Sequence, residues 1–230
     1  MRILGIETST PVISVAVAED GQLLGEFSLT TKQGHMEHLL PLIDQLLTSL
    51  KLSVRDLDGY AASVGPGSFT SLRVGLATCK ALAHAGKKFV AEVSTLDVLA
   101  WGLQGTEGLI CPLIPARRDE VYTAIYVSSA GGIKRLSSYL ALNPKDLIER
   151  LRGRLQAKIT FTGEGAQLYQ DLLQQNLKDH AVFADPARIW PRAGFTAIIG
   201  SKILTEKGGK KPGAVQALYV KPPAIRCRRS

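Results

Sequence analysis

The sequence is short of the residues from which disulfide scaffolds, metal centres and membrane spans are built. It has three cysteines in 230 residues, Cys79, Cys111 and Cys227. They are odd in number and far apart, which argues against a disulfide framework or a cysteine metal cluster and fits reduced thiols in the cytoplasm. Of its four histidines, only His35 and His38 stand close together. No run of eighteen apolar residues occurs, so no membrane span is expected. The chain enters a strand pattern at once (MRILGIE), without the layout of a secretion signal. Acid is scarce at one end. From Lys202 onward, eight Lys and Arg residues face Glu206 alone, which places seven of the net +8 charges there. The body is near neutral and the C-terminal stretch is basic. Such a stretch can meet nucleic acid phosphates, or it can simply keep the chain in solution.

What remains is an ordinary globular composition, 45% apolar and 21% charged, enough for one large domain or two small ones. The chain is organised around residues 65–80, GPGSFTSLRVGLATCK. The apolar run GYAASVG leads in as a buried strand. Gly65, Pro66 and Gly67 make a tight turn, and Ser68 stands at a helix N-cap position, with a hydroxyl suited to a first-turn N–H. Phe69, Leu72, Leu76, Cys79 and Ala83 follow at helical spacing. Strand, glycine turn and helix N-terminus together can hold an anion, or can be a bare connection.

Strands are predicted at 2–7, 12–18 and 23–29, with a hairpin signal at Glu19-Asp20-Gly21. An amphipathic helix follows over 35–50 with Pro41 inside it, then a strand at 60–64, a helix over 69–85 and a strand at 88–93. Ser94 caps a short helix that ends near Trp101. The glycine-rich stretch 102–108 marks a candidate boundary. Beyond it, strands at 109–114, 121–127 and 134–140, a helix at 144–151 and a strand at 159–162 repeat the first order more loosely. Gly163-Glu164-Gly165 opens a helix containing Leu168, Leu172 and Leu173, and a last helix spans 191–204. The KGGKKPG stretch after it reads as flexible. This is a mixed α/β chain with a duplicated fold: 1–103, 104–220 and a basic tail at 221–230.

Two helices carry more than a core needs. In 35–50, Met36, Leu40, Ile43, Leu47 and Leu50 form one apolar stripe, and Leu39, Leu42 and Leu46 form a second. The 69–85 helix offers Ser71, Gly75, Thr78 and Cys79, small enough for another helix to approach. His35 and His38 share a helical face and could hold zinc with a third ligand, but nothing nearby supplies one, so no metal site is assigned. Ser68 is not on a G-x-S-x-G elbow, and no catalytic residue is assigned. Glu7, Thr8 and Ser9 end the first strand, where a carboxylate and hydroxyls suit a nucleotide phosphate with its magnesium, or form a plain polar turn.

Four segments together, LGIETST at 4–10, HMEHLLPLID at 35–44, GPGSFTSLRVGLATCKALA at 65–83 and PARRDEVYTAIY at 115–126, resemble the bacterial TsaB family, also called YeaZ. The resemblance implies two actin-like subdomains of the ASKHA superfamily, with a ribonuclease H-like core. It implies a non-catalytic relative of TsaD. With TsaD and the small ATPase TsaE, such proteins form N6-threonylcarbamoyladenosine beside the tRNA anticodon. Glu7, Thr8, Ser9, Gly65, Gly67 and Ser68 then make a vestigial phosphate cradle. No cofactor is tightly bound, and ATP or ADP enters only in the assembled complex. His35, Leu39, Leu42, Leu46, Ser71, Gly75 and Thr78 form the face that meets TsaD as a four-helix bundle, or a second copy when TsaD is absent. Gly75→Arg and Leu39→Glu are expected to keep the fold and lose the partner. Lys221, Arg226, Arg228 and Arg229 are candidate tRNA contacts.

The departures bear on chemistry. Pro11 stands where TsaD-like enzymes carry an aspartate, and His35 and His38 replace their H-x-x-x-H. Pro115 and Asp119 depart from the D-A-R-R-G-E-V-Y form of the family. The alternatives are an active transferase or phosphotransferase of the same superfamily, using Glu7, Thr8, Ser9 and the Gly65–Ser68 turn, or a metallopeptidase-like protein with zinc on His35 and His38.

Overall fold

The computed structural model describes residues 1–31, 34–117, 119–129, 131–154 and 156–221. Two sheets form its frame. In the first, β1 (Arg2–Glu7), β2 (Val12–Glu19) and β3 (Gln22–Thr30) run antiparallel. Then β4 (Gly59–Gly65) and β5 (Val90–Ser94) add parallel strands beyond β1, giving the order β3-β2-β1-β4-β5. Asp20 and Gly21 both take positive φ, 51° and 81°, as a tight turn between right-twisted strands requires.

The central strand β1 serves both faces by alternation. Leu4 and Ile6 join the core under α1 (His35–Ser49) and α2 (Phe69–Ala85). Ile3 joins the core under α7 (Ala193–Lys207). That second face is made of small residues, so α7 rides close. A Cβ on Gly5 would lie 2.5 Å from Ala193 O, and one on Gly200 would lie 2.2 Å from Ala61 Cβ. Arg192, the N-cap of α7, supplies no side-chain cap. The sheet supplies it instead: Ala193 N–H donates to Ser14 Oγ (3.1 Å) and Gly194 N–H to Glu26 Oε1 (3.1 Å).

The second sheet repeats the order as β10-β7-β6-β11-β12. Its strands are β6 (Leu109–Pro115), β7 (Val121–Thr123), β10 (Leu140–Leu142), β11 (Ile159–Thr162) and β12 (Ala181–Phe183). The strand expected over 121–127 is two strands, β7 and β8 (Tyr126–Ser129). Both pair with β6 in one register, Leu113 opposite Thr123 and Leu109 opposite Val127. The gap falls opposite Pro112. Just past the strand end, Ala116 N–H donates across this edge to Glu120 O (2.8 Å), so alternate residues, Pro112 among them, face it. Proline has no N–H to give, and the ladder breaks there. The strand expected over 134–140 is likewise split, into β9 (Gly132–Arg135) and β10, with Leu136 N–H turned to Ile125 O (2.7 Å).

Helix α3 (Thr95–Trp101) is capped by Ser94, whose Oγ accepts from Leu96 N–H, and α4 (Pro144–Arg152) by Asn143. The helix expected after Gly163 is two, α5 (Glu164–Leu168) and α6 (Gln170–Leu177), separated at Tyr169 (φ −110°). Asp97 on α3 accepts from Tyr126 Oη (2.7 Å) and Tyr139 Oη (2.8 Å), tying that helix to the second sheet.

The stretch expected to be flexible after α7 is held down. Lys210 exchanges backbone bonds with Val90 (2.9 Å each way) and pairs with Glu92 (2.6 Å). The strap continues past the edge of β5: Gln216 N–H donates to Glu92 Oε1 (2.8 Å) and Leu218 N–H to Val64 O (2.8 Å), and Val215 is buried. It ends at Lys221, which pairs with Glu120 of the second half (2.6 Å).

Candidate functional site

The turn after β1 and the turn before α2 meet, as do the residues read as a phosphate cradle. Glu7 is fully buried at the end of β1, and its Oε1 accepts from Ser9 N–H (2.8 Å). Its Oε2 has no hydrogen-bond partner among the described residues. Burial pushes the carboxyl above its ordinary value, against the lowering effect of its bonds with Ser9. Ser68 N–H, which heads α2, donates to Ser9 O (2.8 Å). A Cβ on Gly67 would lie 2.3 Å from that same Ser9 O. Thr8 Oγ1 donates to Ser71 O (3.0 Å), and a Cβ on Gly75 would lie 2.2 Å from Thr8 Oγ1. The two turns are clasped. The Ser68 amide is thus spent on Ser9, which also fills the Cβ side of Gly67. The Ser68 hydroxyl does not cap α2 as expected; it bonds Ser71 Oγ (3.0 Å).

The histidine pair is separated by function as well as by spacing. His35 Nε2 lies 2.9 Å from Thr10 O. A carbonyl only accepts, so this nitrogen carries the hydrogen and is spent on the turn. His38 is exposed. Among the described residues no three His, Cys, Asp or Glu side chains converge as metal ligands. With Pro11 in place of a carboxylate, these residues do not fit the metal site of TsaD-like enzymes.

The α1–α2 face is turned relative to the expectation. Leu39 and Leu46, read as partner contacts, are each 1% exposed and belong to the core with Ile43 and Leu47. Gly75 is buried against Thr8. Ser71, Thr78, Leu42 and His35 are half-buried. The sheet takes the 39-43-46-47 side; Leu40 lies at the rim of that arc, and Met36 is in the first turn of α1, so both reach solvent. Met36 is 75% exposed and Leu40 54%. On α2 Phe69, Thr70, Ala77, Ala81 and Ala85 are exposed, with Val74 half-buried. Gly75→Arg and Leu39→Glu would therefore strike the core rather than a surface. Between the helix starts opens a groove of about 590 Å³, lined by Pro11, Met36, Ser68, Ser71 and Val74 among others.

Sequence reading missed Met36 and Leu40 as the outward apolar pair; a stripe alone does not tell which side the sheet takes. It also missed Arg73 and Tyr219, which meet at Phe69. Of the candidate tRNA contacts, Lys221 is exposed and paired with Glu120, while Arg226, Arg228 and Arg229 lie outside the described residues.

Comparison with known proteins follows this geometry. The tRNA threonylcarbamoyladenosine biosynthesis protein TsaB of Escherichia coli (strain K12) is 32% identical over 174 residues, 75% of each chain. The chain belongs to the TsaB family. The TsaB protein of Bacillus subtilis (strain 168) is 27% identical over 202 residues, 88% of each chain. Residues 22–199 also match the family model described as TsaD, tRNA N6-adenosine threonylcarbamoyltransferase. Among solved structures, an uncharacterized Pseudomonas aeruginosa protein with similarity to peptidase YeaZ superposes with a TM-score of 0.82 at 24% identity, covering 96% of this chain and 99% of that one. The ROK hexokinase of Thermus thermophilus superposes at 0.54 with 11% identity, covering 90% and 100%. At such identities the likeness speaks for the fold, which is the actin-like one expected from the sequence.

Proposed function

We propose that this chain is the non-catalytic partner of TsaD in forming N6-threonylcarbamoyladenosine next to the anticodon of tRNA. Membership of the TsaB family supports the pathway. One observation carries the role: a clasped, ligand-poor turn stands beside a helix pair that leaves apolar and small residues in solvent. A transferase needs a place to hold phosphate or metal against the reacting group. Here the Ser68 amide is spent on Ser9, Pro11 supplies no ligand, and His35 is bonded to Thr10. Neither transfer by this chain alone nor a zinc peptidase is favoured by such an arrangement. ATP or ADP is bound by the assembled complex rather than held tightly by this subunit.

What the chain offers instead is a surface. Met36 and Leu40 on α1 and Ala77 and Ala81 on α2 are exposed, with Val74 half-buried. Small residues let backbones approach, and the larger pair can seat between the helices of a partner. Full burial of each large side chain contributes roughly 1.5–3 kcal/mol. TsaD, sharing the family model, presents an equivalent helix pair; TsaE joins the complex, and tRNA is reached through it. Without TsaD the same face meets a second copy of this chain. The basic stretch from Lys202 onward adds to RNA affinity in the complex. No helix among the described residues is long and apolar enough to cross a membrane.

The test is co-purification with TsaD. Leu40→Glu and Ala77→Arg, both at exposed positions, should leave the circular dichroism spectrum unchanged and each weaken TsaD binding about tenfold or more, a loss of about 1.4 kcal/mol. Normal binding by both folded variants places the interface elsewhere.

A further inference from the structure

One exposed cluster is not used by the partner face. Phe69 opens α2 and is 46% exposed, although Leu72 and Leu76 of the same helix are buried. The Arg73 guanidinium carbon sits 3.8 Å from the centroid of its ring. Tyr219, 150 positions away in sequence and 51% exposed, stands beside it, the ring centroids 6.4 Å apart and tilted by 46°. The rings are carried on fixed backbone. Phe69 is in the first turn of α2, and Tyr219 follows directly on Leu218, whose N–H is bonded to Val64 O (2.8 Å).

The acids nearest the strap are paired, while the 117–120 turn carries exposed Asp119 as well as exposed Arg117. Glu120 is paired with Lys221, and Glu92 with Lys210. Arg73 has no ion pair among the described residues. Beyond Lys221 the sequence continues into Arg226, Arg228 and Arg229. Two solvent-facing rings and a guanidinium that lies on one of them, without an ion pair among the described residues, match what an unpaired base and its phosphate need. The base stacks, and the cation follows the backbone.

We propose that Phe69, Arg73 and Tyr219 form a stacking platform for unpaired RNA bases, and that the strap exists in part to bring Tyr219 to it. The choice of RNA rests on the pathway reading above. The platform differs from the basic tail in what it recognises. Cations alone bind paired and unpaired RNA through phosphate, whereas rings require an unstacked base.

The experiment uses the full chain and two labelled RNAs, a hairpin with an unpaired loop and a blunt duplex of the same length, with binding followed by fluorescence anisotropy. The wild-type chain should prefer the looped RNA. Phe69→Ala and Tyr219→Ala should each weaken looped-RNA binding about 5- to 100-fold and leave duplex binding nearly unchanged. Tyr219→Phe keeps a ring and should retain the preference. Arg73→Gln, at an exposed position, should lower looped-RNA affinity without touching the fold, and it decides the matter if either alanine variant is unstable. Equal binding of the two RNAs by wild type, equal losses on both, or no loss in Arg73→Gln overturns the platform. Loss of TsaD binding with RNA binding intact also overturns it and makes the cluster a protein contact. The pathway reading is tested apart from this, by restoration of the tRNA modification in cells lacking their own TsaB. A wild-type chain that restores modification but shows no loop preference defeats the platform alone. A chain that prefers loops and fails to restore defeats the pathway reading.

Discussion

The two halves of the chain repeat one strand order and finish their surfaces differently. In the second half, α4 and α6 bury Leu147, Ile148, Leu151, Leu173 and Leu177 and show solvent Lys145, Glu149, Arg150, Gln174 and Asn176. In the first half, α1 and α2 bury Leu39, Ile43, Leu46, Leu47, Leu72 and Leu76, and yet leave Met36, Leu40, Ala77 and Ala81 outside. Both pairs satisfy a core; only the first has apolar surface left over. The strand ends differ too. β1 ends in buried Glu7 clasped to α2 through Ser9 and Thr8, whereas β6 ends in Pro115 before a turn closed by Ala116 N–H on Glu120 O (2.8 Å). Duplication kept the scaffold in both halves, and the proposed partner face draws on the first.

The sharpest way to break that comparison is through its glycines. Gly75→Arg should cost about 3 kcal/mol or more and prevent folding, because the site is filled by Thr8. Gly153→Arg, at the end of α4 with nothing within 4 Å, should stay within about 0.5 kcal/mol of wild type in urea unfolding. Next comes Glu26→Ala. It removes an acceptor for Ser14 Oγ, for Gly194 N–H and for Arg192. A loss of roughly 1.5–3 kcal/mol, read from the urea midpoint, is expected, since α7 has no cap of its own. To sharpen the surface contrast, Arg150→Glu on α4 should leave TsaD binding within about twofold, against the loss of tenfold or more expected of Leu40→Glu.

The smallest effect concerns Glu7. Its carboxyl is raised above the ordinary 4.5 by burial. The native state therefore holds this proton after the unfolded chain has released its own. Above pH 4.5 the unfolded state binds fewer protons, so this group's contribution to stability is lost as pH rises toward its folded value. Glu7→Gln has no proton to lose, and its urea midpoint should fall less steeply with pH over that window. A steeper fall in the variant would place a stabilising charge on Glu7 in the folded chain.

Much of this was legible before the fold was seen. The bounds of β1, β11 and α2 match the expected ones because alternation, a glycine turn and 3.6-residue spacing agree there. The actin-like architecture and the TsaB family were legible from four motifs. What was hidden depends on contacts far apart in sequence. That Leu39 faces the sheet and Leu40 faces solvent is fixed by how α1 is seated, and both stripes were apolar. That Ser9 takes up the Ser68 amide follows from the packing of α2 on the first turn. That Tyr219 meets Phe69 requires the strap, whose lysines and glycines read as mobile until Lys210 paired with Val90. Pro112 could have been used: a proline inside a strand signals a broken ladder, and the split at Ala124 is its consequence.

The central claim is that this chain supplies a surface and no chemistry. It is tested most directly by a transfer assay with purified components: tRNA, threonylcarbamoyl-adenylate, ATP, and this chain with and without TsaD and TsaE. The account predicts no modified adenosine from this chain alone, modification when TsaD and TsaE are added, and loss of that modification when Leu40→Glu replaces wild type. Modified adenosine formed by this chain without TsaD would contradict it.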